Sequence, residues 1–256
     1  MNVRVQSIRR NTAETSSSAF QCIACMAYDF SPCQAAAAAT PESTARGKPN
    51  RHDLAIRTVP ARRIICREQD LNDEVPVICN GWAASLVTLS DGSRQILSFL
   101  LPGDLVSTAL VFEPRPGRMV EAVTDVSYRT LKRAEFKTII LKRAELFDAF
   151  SRAWVEERER ADQLIIDLGR RTADERIARL ILVLAERLAK RGLVQTGKLE
   201  MDFPLRQHHI ADATGLTPVH VSKVLSEFRR KALIKISGRA LSILDAAGFR
   251  RIANMR

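Results

Sequence analysis

The stretch Leu205 to Leu225, LRQHHIADATGLTPVHVSKVL, constrains this chain more than any other. It spells a helix, a tight turn and a second helix. Ile210 and Ala211 are inward positions of the first helix. Gly215 stands where the chain must turn sharply, which suits a residue free to adopt positive φ. Leu216 packs just after the turn. Thr217 caps the second helix, and Pro218 suits its first turn. Val221, Val224 and Leu225 give that helix its inward spacing. This is the sequence form of a helix-turn-helix, whose second helix can enter the major groove of DNA. Its outward positions are Thr217, Val219, His220, Ser222, Lys223 and Glu227. The polar and basic groups among them can reach base edges and phosphates. The plainer reading is a helical hairpin in an all-α core, and the surroundings of the motif decide between the two.

The charge distribution favours the first reading. The 256 residues carry 40 Lys and Arg against 29 Asp and Glu, a net charge of +11. From Arg170 to Arg256 there are 18 basic and 8 acidic residues, so nearly all of the excess lies around the motif. A basic domain built on such a motif is an electrostatic footprint of DNA binding. Length and a hydrophobic content of 46% allow two domains with packed cores. No run approaches the ~20 apolar residues of a membrane span. The N-terminus lacks the compact apolar core of a signal peptide. The sequence therefore predicts a cytoplasmic protein, with reduced thiols that serve as core residues or metal ligands.

Residues 1–50 are rich in Ala, Ser, Thr and Arg and read as a flexible arm. Inside it lies Cys22-x2-Cys25-x7-Cys33. Such thiolates suit zinc or an iron–sulfur cluster. A fourth ligand must come from elsewhere, with Cys66 and Cys79 the only other cysteines. An incidental cluster in a low-complexity leader is the competing reading. Over residues 51–140, short apolar runs alternate with Gly, Pro, Asp and Asn, which argues an antiparallel β domain. Asp91-Gly92 marks a hairpin between strands Ala84–Leu89 and Arg94–Leu100. Pro102-Gly103-Asp104 reads as a turn, and its acid as turn chemistry.

A long helix is expected over 141–169. Phe147, Phe150, Trp154, Glu157, Ala161, Leu164 and Leu168 fall in alternating steps of three and four, a heptad seam interrupted by Glu157. Such a seam can pair with a second copy of the chain, giving a homodimer, or pack on its own β domain. The exposed face with Glu156, Arg158, Glu159, Arg160 and Asp162 reads as solvated. Residues 170–256 form the last domain. Thr172 and Glu175 make a capping box. Ile177, Leu180, Ile181, Leu184 and Leu188 form a buried stripe ending at Gly192. A strand Leu199–Phe203 leads into the motif. Strands Leu233–Ile236 and Ala240–Leu244, joined at Ser237-Gly238-Arg239, follow it as a wing. Lys235 and Arg239 lie on or near that wing, where they can meet phosphates. The fold class is thus α+β: a β domain, a long helix and a winged helix-turn-helix.

Three segments carry a resemblance: SDGSRQILSFLLPGDLV at 90–106, GRRTADERIARLILVLAERL at 169–188 and GLTPVHVSKVLSEFRRKALI at 215–234. With them the chain resembles the CRP/FNR family of bacterial transcription regulators over roughly residues 60–250. The resemblance implies a β-roll of cyclic-nucleotide-binding type and a homodimer on an inverted-repeat site in double-stranded DNA. It also implies contact with RNA polymerase, and activation or repression set by promoter position. Cyclic-nucleotide-binding members place a Gly-Glu pair after the Gly-Asp turn and an Arg-Ser pair in the next segment. Here Ser107 and Thr108 follow Gly103-Asp104-Leu105-Val106, and Arg118 precedes Met119, so no cyclic nucleotide is expected.

Oxygen-sensing members hold a [4Fe–4S] cluster with an N-terminal cysteine group and a fourth cysteine late in the β-roll. The spacing of Cys22, Cys25 and Cys33 looks like that of rhizobial nitrogen-fixation regulators, but Tyr128 stands at the fourth position. Cys66 or Cys79 would have to substitute from another strand. In the recognition helix, Val219 replaces the Glu of many relatives. Ser222 and Lys223 match positions used for backbone or guanine contact. A metal or redox sensor acting through protein contacts, with a degenerate DNA domain, is the competing function. No catalytic constellation supports an enzyme.

Overall fold

The computed structural model describes residues 56–194 and 200–255. The arm expected over 1–50, with Cys22, Cys25 and Cys33, lies outside them, as does Leu199. Seven strands form two antiparallel sheets at the N-terminal end. β1 (Arg57–Val59), β7 (Val126–Lys132) and β3 (Glu74–Asn80) make one sheet in the order β1-β7-β3. β2 (Ile64–Cys66), β6 (Met119–Ala122), β4 (Ala83–Thr88) and β5 (Arg94–Leu100) make the other in the order β2-β6-β4-β5. The β4–β5 hairpin closes at Asp91-Gly92. Gly92 sits at φ 83°, and Asp91 Oδ1 accepts from the Ser93 N–H at 2.8 Å.

β4 does not alternate as a half-exposed strand would. Ala83, Ala84, Ser85 and Leu86 are all buried. Ala83 belongs to the core between the two sheets, with Val75, Val77, Leu100 and Val120. Ala84 and Leu86 point the other way, into a second core shared with the C-terminal domain. Trp82, Ile96, Phe99 and Leu101 join them there, against Ile181, Leu184 and Ile210. The outer face of the β2-β6-β4-β5 sheet is thus a platform on which the C-terminal domain sits.

The long helix differs from expectation at its start. A separate helix α1 (Arg133–Lys142) comes first, burying Phe136 and Ile140. Arg143 is extended at φ −126°, ψ 111°, and α2 (Ala144–Arg170) begins after it. Phe136 and Ile140 serve the β-domain core, and the chain turns before the long helix starts. The seam divides as well. Phe150 is buried in the β-domain core, Leu164 and Leu168 are half-buried, and Phe147, Trp154 and Ala161 are exposed. A straight helix drifts ~20° per heptad against a strict seven-residue repeat, so one seam cannot face one partner throughout.

α3 (Ala173–Lys190) starts on the Thr172–Glu175 capping box, with the Glu175 carboxylate accepting from Thr172 N–H at 2.7 Å. The last domain then runs β8 (Glu200–Asp202), α4 (Gln207–Thr214), α5 (Pro218–Arg230), β9 (Ile234–Ser237), β10 (Ala240–Ile243) and α6 (Ala246–Ile252). β8, β10 and β9 form an antiparallel sheet in that order. Phe228 of α5 and Phe249 of α6 meet edge to face at 5.2 Å.

Candidate nucleic-acid interface

The α4–turn–α5 unit is built by local chemistry. Gly215 ends α4 at φ 65°, ψ 37°, and a Cβ there would come within 3.1 Å of the Leu168 side chain. The left-handed conformation calls for glycine, and a Cβ would in addition require the Leu168 side chain to give way by a few tenths of an ångström. The Leu216 N–H donates to Ala211 O at 3.1 Å, and Arg176 donates to Thr214 O at 3.1 Å. The Thr217 hydroxyl accepts from the His220 N–H at 3.2 Å and caps α5, with Pro218 at its first turn. Val221, Val224, Leu225 and Phe228 are buried.

The opposite face of α5 is open. Thr217, Val219, His220 and Lys223 are exposed and Ser222 is half-buried, with Val219 67% exposed. Val219, Ser222 and Lys223 line one side of an open groove of about 560 Å³ that also takes in Gln207 and Arg230. Lys235 on β9 and Arg239 at the wing turn are exposed, and Arg239 lies 3.3 Å from Asp202. Glu227, an outward position of the same helix, has partners that the sequence does not show. Its carboxylate accepts from Arg230 at 2.7 and 2.8 Å and lies 3.2 Å from Lys231. Those hydrogen bonds pull its pKa down to about 2. Glu227 stays ionised and offsets two cations on the face that carries Lys223.

The mounting of this face is also specific. Asp104, expected only to shape a turn, accepts from Arg187 at 2.7 Å and pairs with Arg191, both on or just after α3. Its carboxylate also accepts from the Leu101 N–H at 2.7 Å. Burial pushes the Asp104 carboxyl up, but Arg187, Arg191 and the hydrogen bonds outweigh it and hold it below the ordinary range. Arg94 of β5 pairs with Glu121 at 3.0 Å and reaches Asp212 of α4 at 3.8 Å. The Nδ1 of His209 accepts from the Arg206 N–H at 3.1 Å. Burial, then His208, Arg94, Arg206 and Arg62, lower its pKa to about 4.

The candidate cysteine donors separate. Cys66 on β2 is 2% exposed, and burial, with Asp70 adding, pushes its thiol up to about 12. Cys79 is half-buried at the bulge of β3, beside the rung where Ile78 pairs with Tyr128 of β7. Of the two, Cys79 is the more exposed and the nearer in register to Tyr128. Among the described residues, no three His, Cys, Asp or Glu side chains form a metal-sized group.

A β domain joined through a long helix to a winged helix-turn-helix is the architecture of a DNA-binding transcription regulator. The cyclic nucleotide-binding domain family matches residues 56–143, and the Crp-like helix-turn-helix domain family matches 175–252. The transcriptional activator protein FnrL of Cereibacter sphaeroides is 31% identical over 189 residues, 72% of this chain and 73% of that protein. The nitrogen fixation regulation protein FixK of Bradyrhizobium diazoefficiens is 31% identical over 187 residues, covering 73% and 76%. The structure of FixK2 from Bradyrhizobium japonicum superposes with a TM-score of 0.68 at 28% identity, covering 78% of this chain and 96% of that one. The chain belongs to the CRP/FNR family of transcription regulators. Among the described residues, no helix is long and apolar enough to cross a membrane.

Proposed function

We propose that this regulator binds an inverted-repeat promoter site as a homodimer and acts there as a transcriptional activator through RNA polymerase. In this reading α5 enters the major groove. Thr217, Val219, His220, Ser222 and Lys223 meet bases and backbone, while Lys235 and Arg239 meet phosphates. The domain roles follow: β domain for sensing, α2 for pairing, residues 170–256 for DNA. The observation that carries it is the open outer face of α5, with Lys223 and His220 exposed and its inner face fully packed. Val219 in place of an acid removes an acceptor for a cytosine amino group, so the preferred site differs from that of relatives with Glu there. Selection of bound fragments from a random DNA pool tests this. Recovery of a two-fold symmetric sequence supports it; failure to retain any DNA at low salt contradicts it.

The signal has its own reading. A cluster held by Cys22, Cys25, Cys33 and Cys79 would supply oxygen- or redox-sensitive chemistry. What supports it is the cysteine spacing together with the place of Cys79 beside Tyr128. Iron and acid-labile sulfide are to be measured on protein purified without oxygen. Loss of both in Cys25→Ser and Cys79→Ser, but not in Cys66→Ser, is the expected pattern. A colourless, iron-free protein that still retards DNA would remove this reading and leave the DNA function standing.

A further inference from the structure

Glu157 breaks the apolar seam of α2, and the structure shows where its carboxylate goes. It turns into the β domain and meets three donors. Thr108 donates its backbone N–H at 3.2 Å and its hydroxyl at 2.6 Å to Oε2. The Arg118 guanidinium lies 3.6 Å from Oε1. Thr108 is 7% exposed and Ser107 beside it 1%. The Ser107 hydroxyl accepts from the Ala109 N–H at 3.2 Å, which fixes the local turn. Two hydrogen-bond donors and a cation aimed at the two oxygens of one group form a cradle for an oxyanion.

A carboxylate and a phosphate ask the same of such a cradle: negative charge and paired acceptor oxygens. Thr108 and Arg118 both lie in the segment matched by the cyclic nucleotide-binding family. Glu157 lies outside it, in the middle of α2. Because α2 is packed against the β domain through Phe150, the carboxylate is held at the cradle. A tethered group competes at an effective concentration of the order of mM or more. A soluble anion must displace it.

We infer that Glu157 is a built-in anion filling a phosphate-type site between the β domain and α2. The link that a diffusible phosphorylated effector would make between these parts is already made within the chain. DNA binding that needs no cyclic nucleotide is the consequence, and that consequence alone rests on the DNA-binding reading above.

Calorimetric titration of the full chain with inorganic phosphate and with cyclic AMP tests the occupancy directly. The wild type is expected to bind neither measurably. Glu157→Ala empties the cradle and is expected to bind at least one of them tenfold or more tighter than the wild type. Adding Arg118→Gln to that variant should abolish the gain. Glu157→Ser, which leaves a small polar group on the helix surface, serves if the alanine variant does not fold. Equal binding by wild type and variant, or a folded variant that binds neither anion, would overturn the inference. Gel retardation by the wild type should not change on adding cyclic AMP, and a tenfold gain in DNA affinity would contradict the consequence. A protein that retains no DNA at all sinks the DNA reading and leaves the calorimetry unaffected.

Discussion

Lys223 and Glu227 lie one turn apart on α5 and push DNA affinity in opposite directions. If Lys223 pairs with a guanine, Lys223→Ala should weaken binding to the preferred site by about 1–3 kcal/mol. A loss of less than a few tenths in a titrated binding assay rejects that role. Glu227→Gln removes the carboxylate that occupies Arg230 and Lys231. It should raise affinity for unrelated DNA and steepen its fall with salt, because more phosphates are neutralised. His209 is a residue-scale test of a different kind. Its native pKa, about 4, lies below the usual value near 6.5, so the unfolded chain takes the proton first. Stability should fall as pH drops from about 6.5 toward 4 and be unaffected by this group above 6.5. His209→Asn should flatten that part of the melting-temperature profile; an unchanged slope would place its origin elsewhere. The exposed reading face was legible in the sequence because caps, turn glycine and helical spacing are local signals. The partners of Glu157 and Glu227 were not, since Glu157 finds Thr108 forty-nine residues away and Glu227 looked like one more surface charge.

Among the elements, α3, α4 and α5 were readable because α3 starts on a capping box, α4 ends at Gly215 and α5 starts on Thr217 and Pro218. α1 was not: its apolar residues merge with the periodicity of the helix after it, and only the extended Arg143 separates them. The docking face of β4 was hidden for another reason. A strand buried on both faces shows a continuous apolar run, and a sequence does not say what covers the second face. Asp104 is the polar counterpart of that apolar joint, tying the turn before it to Arg187 and Arg191. Asp104→Asn breaks a buried pair, an expected cost of about 3–5 kcal/mol in chemical denaturation. The native carboxyl is held below the ordinary value of about 3.9, so its contribution is complete above that pH and fades as pH falls through the native value. The gap between wild type and variant should be constant above about pH 4 and close below it. A gap that persists unchanged at pH 2 would show that the ion pair is not its source.

For the whole molecule, the exposed apolar stripe of α2 is the feature that a single chain leaves unexplained. Trp154 is 56% exposed, Val155 57% and Ile165 69%, and Phe112 stacks on Trp154 at 6.4 Å. A stripe of this size on a helix that buries only Ala149 and Phe150 against its own chain calls for a second surface. Pairing through it, as proposed above, would place two α5 helices on one duplex. Trp154→Arg should shift the protein toward the monomer in sedimentation and lower operator affinity by tenfold or more while leaving the helical content unchanged. The two-domain order and the DNA role could be read from the sequence. The joint between the domains and the split of the seam required the fold, because both depend on which face of an element meets its own chain. The most direct test of the account is the stoichiometry of the DNA complex, by sedimentation of the protein with a selected site in whole and half form. The account predicts two chains on the inverted repeat, with half-sites about one helical turn apart, and much weaker binding to a half-site. One chain bound equally well to either DNA would contradict it.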